Sequence, residues 1–220
     1  MTNCCDWTKD ANMWRKTKPT KWAAVSICKR CIRSRKLQFT GAKILPIEWD
    51  KESEEYILWL GRKHQNPNLV ELIGGTREDE ETALETVIRE TYEETGQEVS
   101  KCHLYLSHDN YYIIPPYELG TYPGPSVLFI IHVNWFPRKS VQEKMKETTE
   151  GIIKAMKKGR KVRIEIDDLT TLKLSELKAW KGNDNDVLKT TKDGSKLYAI
   201  YFDKRMLNIV KKFEETYIYP

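Results

Sequence analysis

The chain has 220 residues, 40% of them hydrophobic and 31% charged, which is enough apolar material for a sizeable core and argues against global disorder. The length suits one domain with additions, and the apolar runs, such as residues 127–131, fall far short of the ~18 residues a membrane-spanning helix needs. No secretory leader is expected at the N-terminus, no membrane partner is expected, and five cysteines without a disulfide pattern suit a reducing, cytoplasmic setting.

The net charge is +5, but it is unevenly spread. Residues 1–47 carry eleven Lys/Arg against two Asp, and residues 138–163 carry ten Lys/Arg against three Glu. Between them, residues 75–98 hold nine acids against two arginines. Basic blocks suit an anionic partner such as RNA, and a concentrated acidic block suits a bound cation.

In chain order, residues 1–37 show no clean period and carry Trp7, Trp14 and Trp22. They read as a basic N-terminal extension partly ordered by those aromatics. From Phe39 the pattern sharpens. Residues 42–49 and 56–60 read as two strands joined by the polar run 50–54. Residues 61–68 read as a loop, and 69–73 as a short apolar segment ending in Gly74 and Gly75. Thr82 and Glu85 form a capping box. Leu84, Val87, Ile88 and Thr91 then recur at helical spacing, and Gly96 stands where a left-handed residue stops a helix. Strands are expected at 102–107, 111–114 and 126–136, a basic helix at 140–158, a strand at 162–166, and helices at 173–180 and 198–213. Strands around isolated helices make an α/β or α+β sandwich in one domain.

Glu90, Glu93 and Glu94 stand at i, i+3 and i+4 and share one helix face. Such like charges repel by a few tenths of a kcal/mol per pair, about 0.2–0.5. Arg89 can pair with Glu93, four residues on. A divalent cation compensates more strongly, because Mg²⁺ and Mn²⁺ prefer clustered carboxylates completed by phosphate oxygens and water. Gly74 and Gly75 let the backbone approach a ligand closely and offer a bare carbonyl. Three glutamates alone are more often a solvated face, so the wider spacing decides.

The spacing of Gly75, Glu81, Arg89, Glu90, Glu93, Glu94 and Gly96 resembles the Nudix box, and the flanking order of strands and helix resembles the Nudix hydrolases. The resemblance implies an α/β fold, the Nudix αβα sandwich around a mixed β-sheet, in residues 38–220. Residues 1–37 would precede it as the basic extension, and 138–161 would form a basic helical insertion. Three positions depart from the family pattern: Thr91 and Gln97 replace aliphatic residues, and Ile73 stands where proline is common. None of them is a metal-binding group.

The resemblance also implies a chemistry: hydrolysis of a diphosphate linkage in a nucleoside diphosphate linked to another group, with Mg²⁺ or Mn²⁺ as cofactor. Gly75, through its carbonyl, Glu93 and Glu94 would hold metal, and Glu90 would either join them or orient water. Arg89 would hold the carboxylates in place, and Glu81 would contact the site through water or Arg89. The general base stays open among Glu165, Asp167, Asp168 and Glu118. Tyr117 and Tyr122, near Tyr111 and Tyr112, surround a loop expected to face substrate; they would either stack on a base or pack under the loop.

Weaker motifs have simpler readings. Cys28 and Cys31 have zinc-ligand spacing, but the adjacent Cys4 and Cys5 make a poor second pair. His64, His103, His108 and His132 share no ligand spacing, and His132 in an apolar strand reads as a core residue. Three substrate readings stay open: a small nucleotide derivative, a capped RNA or other RNA 5′ end, and no substrate at all on a scaffold that binds RNA or protein. The basic segments and the helical insertion resemble the mRNA-decapping Nudix enzymes of large DNA viruses. They would track an RNA backbone, with Trp14 and Trp22 interleaved.

Overall fold

A computed structural model describes residues 25–26, 29–96, 111–114, 126–132, 138–158, 164–182 and 186–199. In chain order these form β1 (Val25–Ser26), α1 (Lys29–Ile32), β2 (Gly41–Asp50), β3 (Glu55–Lys63), β4 (Asn66–Glu71), β5 (Ile73–Thr76), α2 (Ala83–Thr95), β6 (Tyr111–Ile114), β7 (Ser126–His132), α3 (Arg138–Lys157), β8 (Ile166–Lys173), α4 (Leu174–Ala179), β9 (Val187–Thr190) and β10 (Lys196–Ala199). The described strands join in one mixed sheet of order β1-β6-β7-β2-β3-β4-β10-β9, with β5 also pairing β2 and β8 also pairing β3. β2 runs parallel to β7 and β10 parallel to β4. The fold is the α/β sandwich on a mixed sheet that the Nudix resemblance implies.

Strand alternation puts a hydrophobic core on each face of the sheet. Val127, Phe129 and Ile131 of β7 join Ala42 and Ile44 of β2, Leu84 and Val87 of α2, and Met145 of α3. Leu128 and Ile130 instead join Leu45 and Ile47 of β2, Leu172 of β8 and Leu177 of α4. A central strand buried on both faces reads as the continuous apolar run seen at 127–131. Among the described residues no helix is long and apolar enough to cross a membrane.

Helix α2 forms for local reasons. The Thr82 hydroxyl accepts from the Glu85 N–H at 3.2 Å, and the Glu85 carboxylate accepts from the Thr82 N–H at 2.9 Å, so the capping box is complete. At the other end Gly96 adopts φ 67°, and its N–H donates to the Tyr92 carbonyl. Thr91 is fully buried: it packs in the face where the family pattern has an aliphatic residue.

Several expectations need correction. The loop expected at 61–68 is a hairpin, because β3 continues to Lys63 and β4 begins at Asn66. Arg62 and Lys63 pair with β8 and so extend the strand. The strand expected at 162–166 lies further on, at Ile166–Lys173, paired with β3 from Ile57 to Lys63. Lys196–Ala199 is a strand where a helix was expected from 198, because it pairs parallel to β4 and antiparallel to β9 and buries Leu197 and Ala199. A short apolar run cannot be told between helix and strand by periodicity alone.

The segment read as an extension reaches into the core. Val25 and Ser26 pair with β6, and Cys31, Ile32 and Leu37 are buried in the α2-side cluster. The residues expected as strand 102–107, as well as Cys4, Cys5, Cys28, Gln97, His103, His108, Tyr117, Glu118 and Tyr122, lie outside the described residues.

Candidate active site

Arg89 organises the rim of the acidic site. Its guanidinium grips Glu81 with two bonds, Nε to Oε1 at 2.8 Å and a terminal nitrogen to Oε2 at 3.1 Å. It also donates to Glu90 at 2.9 Å, to Glu93 at 3.2 Å and to the Thr76 carbonyl at 2.8 Å. Such bidentate, charge-assisted bonds are among the stronger hydrogen bonds in proteins. Glu81 accepts further bonds from the Glu78 N–H and the Thr86 hydroxyl. The Arg89 bond, with those others, pulls the Glu81 carboxyl down to about 2. The same bond to Glu81 raises Arg89 above its ordinary value, so this pair stays charged at any working pH.

The deep end of the site is different. Glu94 accepts from the Gly74 N–H at 2.6 Å. Burial pushes its carboxyl up to about 8, against the pull of Lys43 and of that N–H. Glu90 is also raised by burial, with Arg89 opposing. Gly75 makes room for it: a Cβ there would fall 2.3 Å from the Glu90 carboxylate, so this position needs glycine for close approach. Beyond them Lys63 pairs with the buried Glu71 at 2.6 Å.

Gly75, Thr76, Glu90, Glu93 and Glu94 form one wall of a cavity of about 280 Å³. That is the lower edge of the ~300–1,000 Å³ of small-molecule sites. The facing wall comes from Thr148, Thr149 and Ile152 of α3 and from Ile164, Glu165 and Ile166 before and at the start of β8. Helix α3 is locked to α2 where Thr148 lies against Gly96; a Cβ on Gly96 would stand 2.6 Å from its hydroxyl oxygen. The helix expected as an insertion therefore supplies part of the cavity.

Three of the base candidates lie among the described residues. Glu165 is exposed at the cavity. Asp167 instead pairs with His64 at 2.6 Å, and Asp168 lies 3.7 Å from Arg62. The β3–β8 ladder shifts register between Arg62 and Lys63. A β-bulge re-aims the side chains on either side of it. The His64 N–H also bonds the Glu165 carbonyl at 3.0 Å, which tethers the segment carrying that glutamate. Sequence reasoning missed Lys43, Thr148, Thr149 and Ile152. Their signal is weak, because none belongs to a spaced motif. Cys31 is buried in the core.

The oxygen chemistry of this wall suits a hard divalent cation: three carboxylates beside a glycine backbone that approaches without a Cβ in the way. Among the described residues, no three acids, histidines or cysteines stand together as a ready ligand cage. Glu90 and Glu93 are bonded to Arg89 and Glu94 to Gly74.

The glycine pair, the acidic helix and the arginine hub stand on a mixed-sheet α/β sandwich. The NUDIX domain family model matches residues 42–157, more than half of the chain, and the chain belongs to that family. No curated protein matches it. Among solved structures it is similar to a MutT/nudix family protein from Enterococcus faecalis, with 16% identity and a TM-score of 0.32 over 55% of this chain and 41% of that one. It is similar to a bifunctional NMN adenylyltransferase/ADP ribose pyrophosphatase from Francisella tularensis complexed with AMP and Mn ion, with 15% identity and a TM-score of 0.44 over 96% of this chain and 46% of that one. It is also similar to the T. brucei MERS1 protein in its RNA complex, with 16% identity and a TM-score of 0.36 over 64% of this chain and 54% of that one. The chain spans less than half the length of the first two.

Proposed function

We propose that this protein is a metal-dependent hydrolase that cleaves the diphosphate linkage of a nucleoside diphosphate joined to a second group. The observation that carries this reading is the arginine-organised face of Glu81, Glu90 and Glu93, with Glu94 behind it, along a cavity floored by Gly75. Glu90, Glu93, Glu94 and the Gly75 carbonyl would hold Mg²⁺ or Mn²⁺. When bound, the ion supplies charge neutralisation for the diphosphate. Arg89 and Glu81 keep the carboxylates in one arrangement, which lowers the cost of ordering them at the moment of reaction. Glu165, which also lines the cavity, would take a proton from the attacking water. Thr148, Thr149 and Ile152 would bind the group beyond the diphosphate.

We assign the Nudix domain to residues 38–220, with residues 1–37 as a basic extension whose described part packs into the same core, 138–161 as the helical insertion and the cytoplasm as its site of action. A second reading, hydrolysis at a capped or other RNA 5′ end, is favoured by α3. Lys144, Lys146, Lys154 and Lys157 are exposed on the same helix whose Thr148, Thr149 and Ile152 line the cavity. A phosphate chain leaving the cavity would run along that helix.

The test is a turnover panel with Mg²⁺ and Mn²⁺, including nucleotide sugars, dinucleotides and capped RNA. Metal-dependent release of nucleoside monophosphate from a dinucleotide or nucleotide sugar supports the first reading. Release of a cap nucleotide alone selects the second. No turnover of any substrate, with Mn²⁺ bound, overturns both.

A further inference from the structure

Lys43 brings a charge to the deep end of the acidic site. It lies in β2 opposite Gly74 of β5 and is only 9% exposed. Its ammonium donates to the Gly74 carbonyl, while the N–H of the same glycine holds Glu94 at 2.6 Å. Its charge favours the ionised forms of both Glu94 and Glu90. Of the other cations around the site, Arg89 holds Glu81, Glu90 and Glu93, and Lys63 holds Glu71, and neither bonds Glu94. A buried ammonium is costly unless anions and acceptors face it, and buried carboxylates have the same need of a cation. Lys43 and Glu94 meet through Gly74, whose carbonyl takes the ammonium and whose N–H takes the carboxylate.

We propose that Lys43 is a built-in counter-ion of this site: its ammonium supports the Glu90–Glu94 wall in the metal-free protein and, by repulsion, weakens the hold of those carboxylates on a divalent cation. The inference rests on the metal reading given above. It makes metal affinity depend on a strand residue that lies outside the spaced glutamate motif. Two like charges drawn to the same carboxylates oppose each other by Coulomb repulsion, and the effect is larger in a partly buried site than in water.

The full chain is compared with Lys43→Met in EDTA and with Mn²⁺ alone, by thermal melting and by calorimetric titration of Mn²⁺. No substrate is present. Methionine keeps the unbranched stem, one atom shorter, and removes the charge. The variant should melt below wild type in EDTA and bind Mn²⁺ about tenfold more tightly, the scale of one unit charge in a partly screened site. Equal losses of midpoint with and without Mn²⁺, at unchanged affinity, would make Lys43 a packing residue and overturn the proposal. If Lys43→Met does not fold, the double variant Lys43→Met/Glu94→Gln decides. Recovery of folding supports a counter-ion, and continued failure overturns it. A wild-type protein that takes up no Mn²⁺ overturns the metal reading itself. Uptake by wild type with no gain in the variant overturns the counter-ion alone.

Discussion

Glu81 precedes α2 and Glu94 stands in its last turn, and the two meet opposite conditions. At the rim, Arg89 and backbone donors surround Glu81 and hold its carboxyl down to about 2. At the deep end, burial drives Glu94 up to about 8, although Lys43 and the Gly74 N–H oppose it. The rim is satisfied by the protein's own groups. The deep end still favours an added positive charge. A site divided in this way holds its shape through Arg89 at one end and leaves a carboxylate at the other that an added cation would favour.

Removing the deep carboxylate should have the largest effect. Glu94→Gln keeps the volume and removes a charged oxygen. Turnover should fall at least a hundredfold, about 2.7 kcal/mol of lost transition-state stabilisation. The midpoint in EDTA should stay near wild type, because losing the cost of burying the Glu94 charge offsets losing its attraction to Lys43, which Glu90 still faces. Steady-state kinetics beside thermal melting separates the two effects, and a variant that is both active and metal-binding would dissolve the distinction between the ends.

Breaking the rim should do the reverse. Arg89→Met leaves Glu81, Glu90 and Glu93 without their shared cation. Loss of one partner from a fully buried pair costs ~3–5 kcal/mol; with the rim open to water, about 2 kcal/mol of stability should go, read from urea unfolding. Activity should fall as well, with KM for Mg²⁺ rising as the carboxylates lose their fixed arrangement.

The pH dependence of stability sharpens the comparison. Glu94 has a folded value raised from 4.5 to about 8, so the metal-free protein keeps its full contribution below 4.5 and loses it as pH rises toward 8. Glu81, lowered from 4.5 to about 2, contributes above 4.5 and loses its effect as pH falls toward 2. Melting in EDTA should therefore decline toward pH 8, and saturating Mn²⁺ should flatten that decline. A midpoint in EDTA that rises over this range would contradict the assignment of Glu94.

The smallest effect belongs to the junction between the helices. Gly96→Ala must place an L-residue at φ 67° and push a Cβ toward the Thr148 hydroxyl. A left-handed non-glycine residue costs ~1–2 kcal/mol, so about 1 kcal/mol should be lost on urea unfolding. KM should rise more than kcat falls, since α3 carries a cavity wall but none of the carboxylates.

Local chemistry made much of this legible in the chain. Thr82, Glu85 and Gly96 bound α2 through contacts within one or two turns, so their types and spacing suffice. Glu90, Glu93 and Glu94 share a face because the helix period requires it. The Nudix resemblance rests on the same short-range spacing, and the family model extends it over residues 42–157. Non-local pairing decided the rest. Residues 196–199 became a strand because β4 offers a parallel edge and the core offers burial, neither of which the apolar run encodes by itself. Glu165 reaches the cavity while Asp167 turns to His64 because the register shifts between β3 and β8. Lys43 meets Gly74, and Thr148 meets Gly96, only after segments separated by tens of residues have packed. Spacing along a chain specifies which groups share an element. Which groups from different elements meet depends on register and packing, and those are set by the whole core at once.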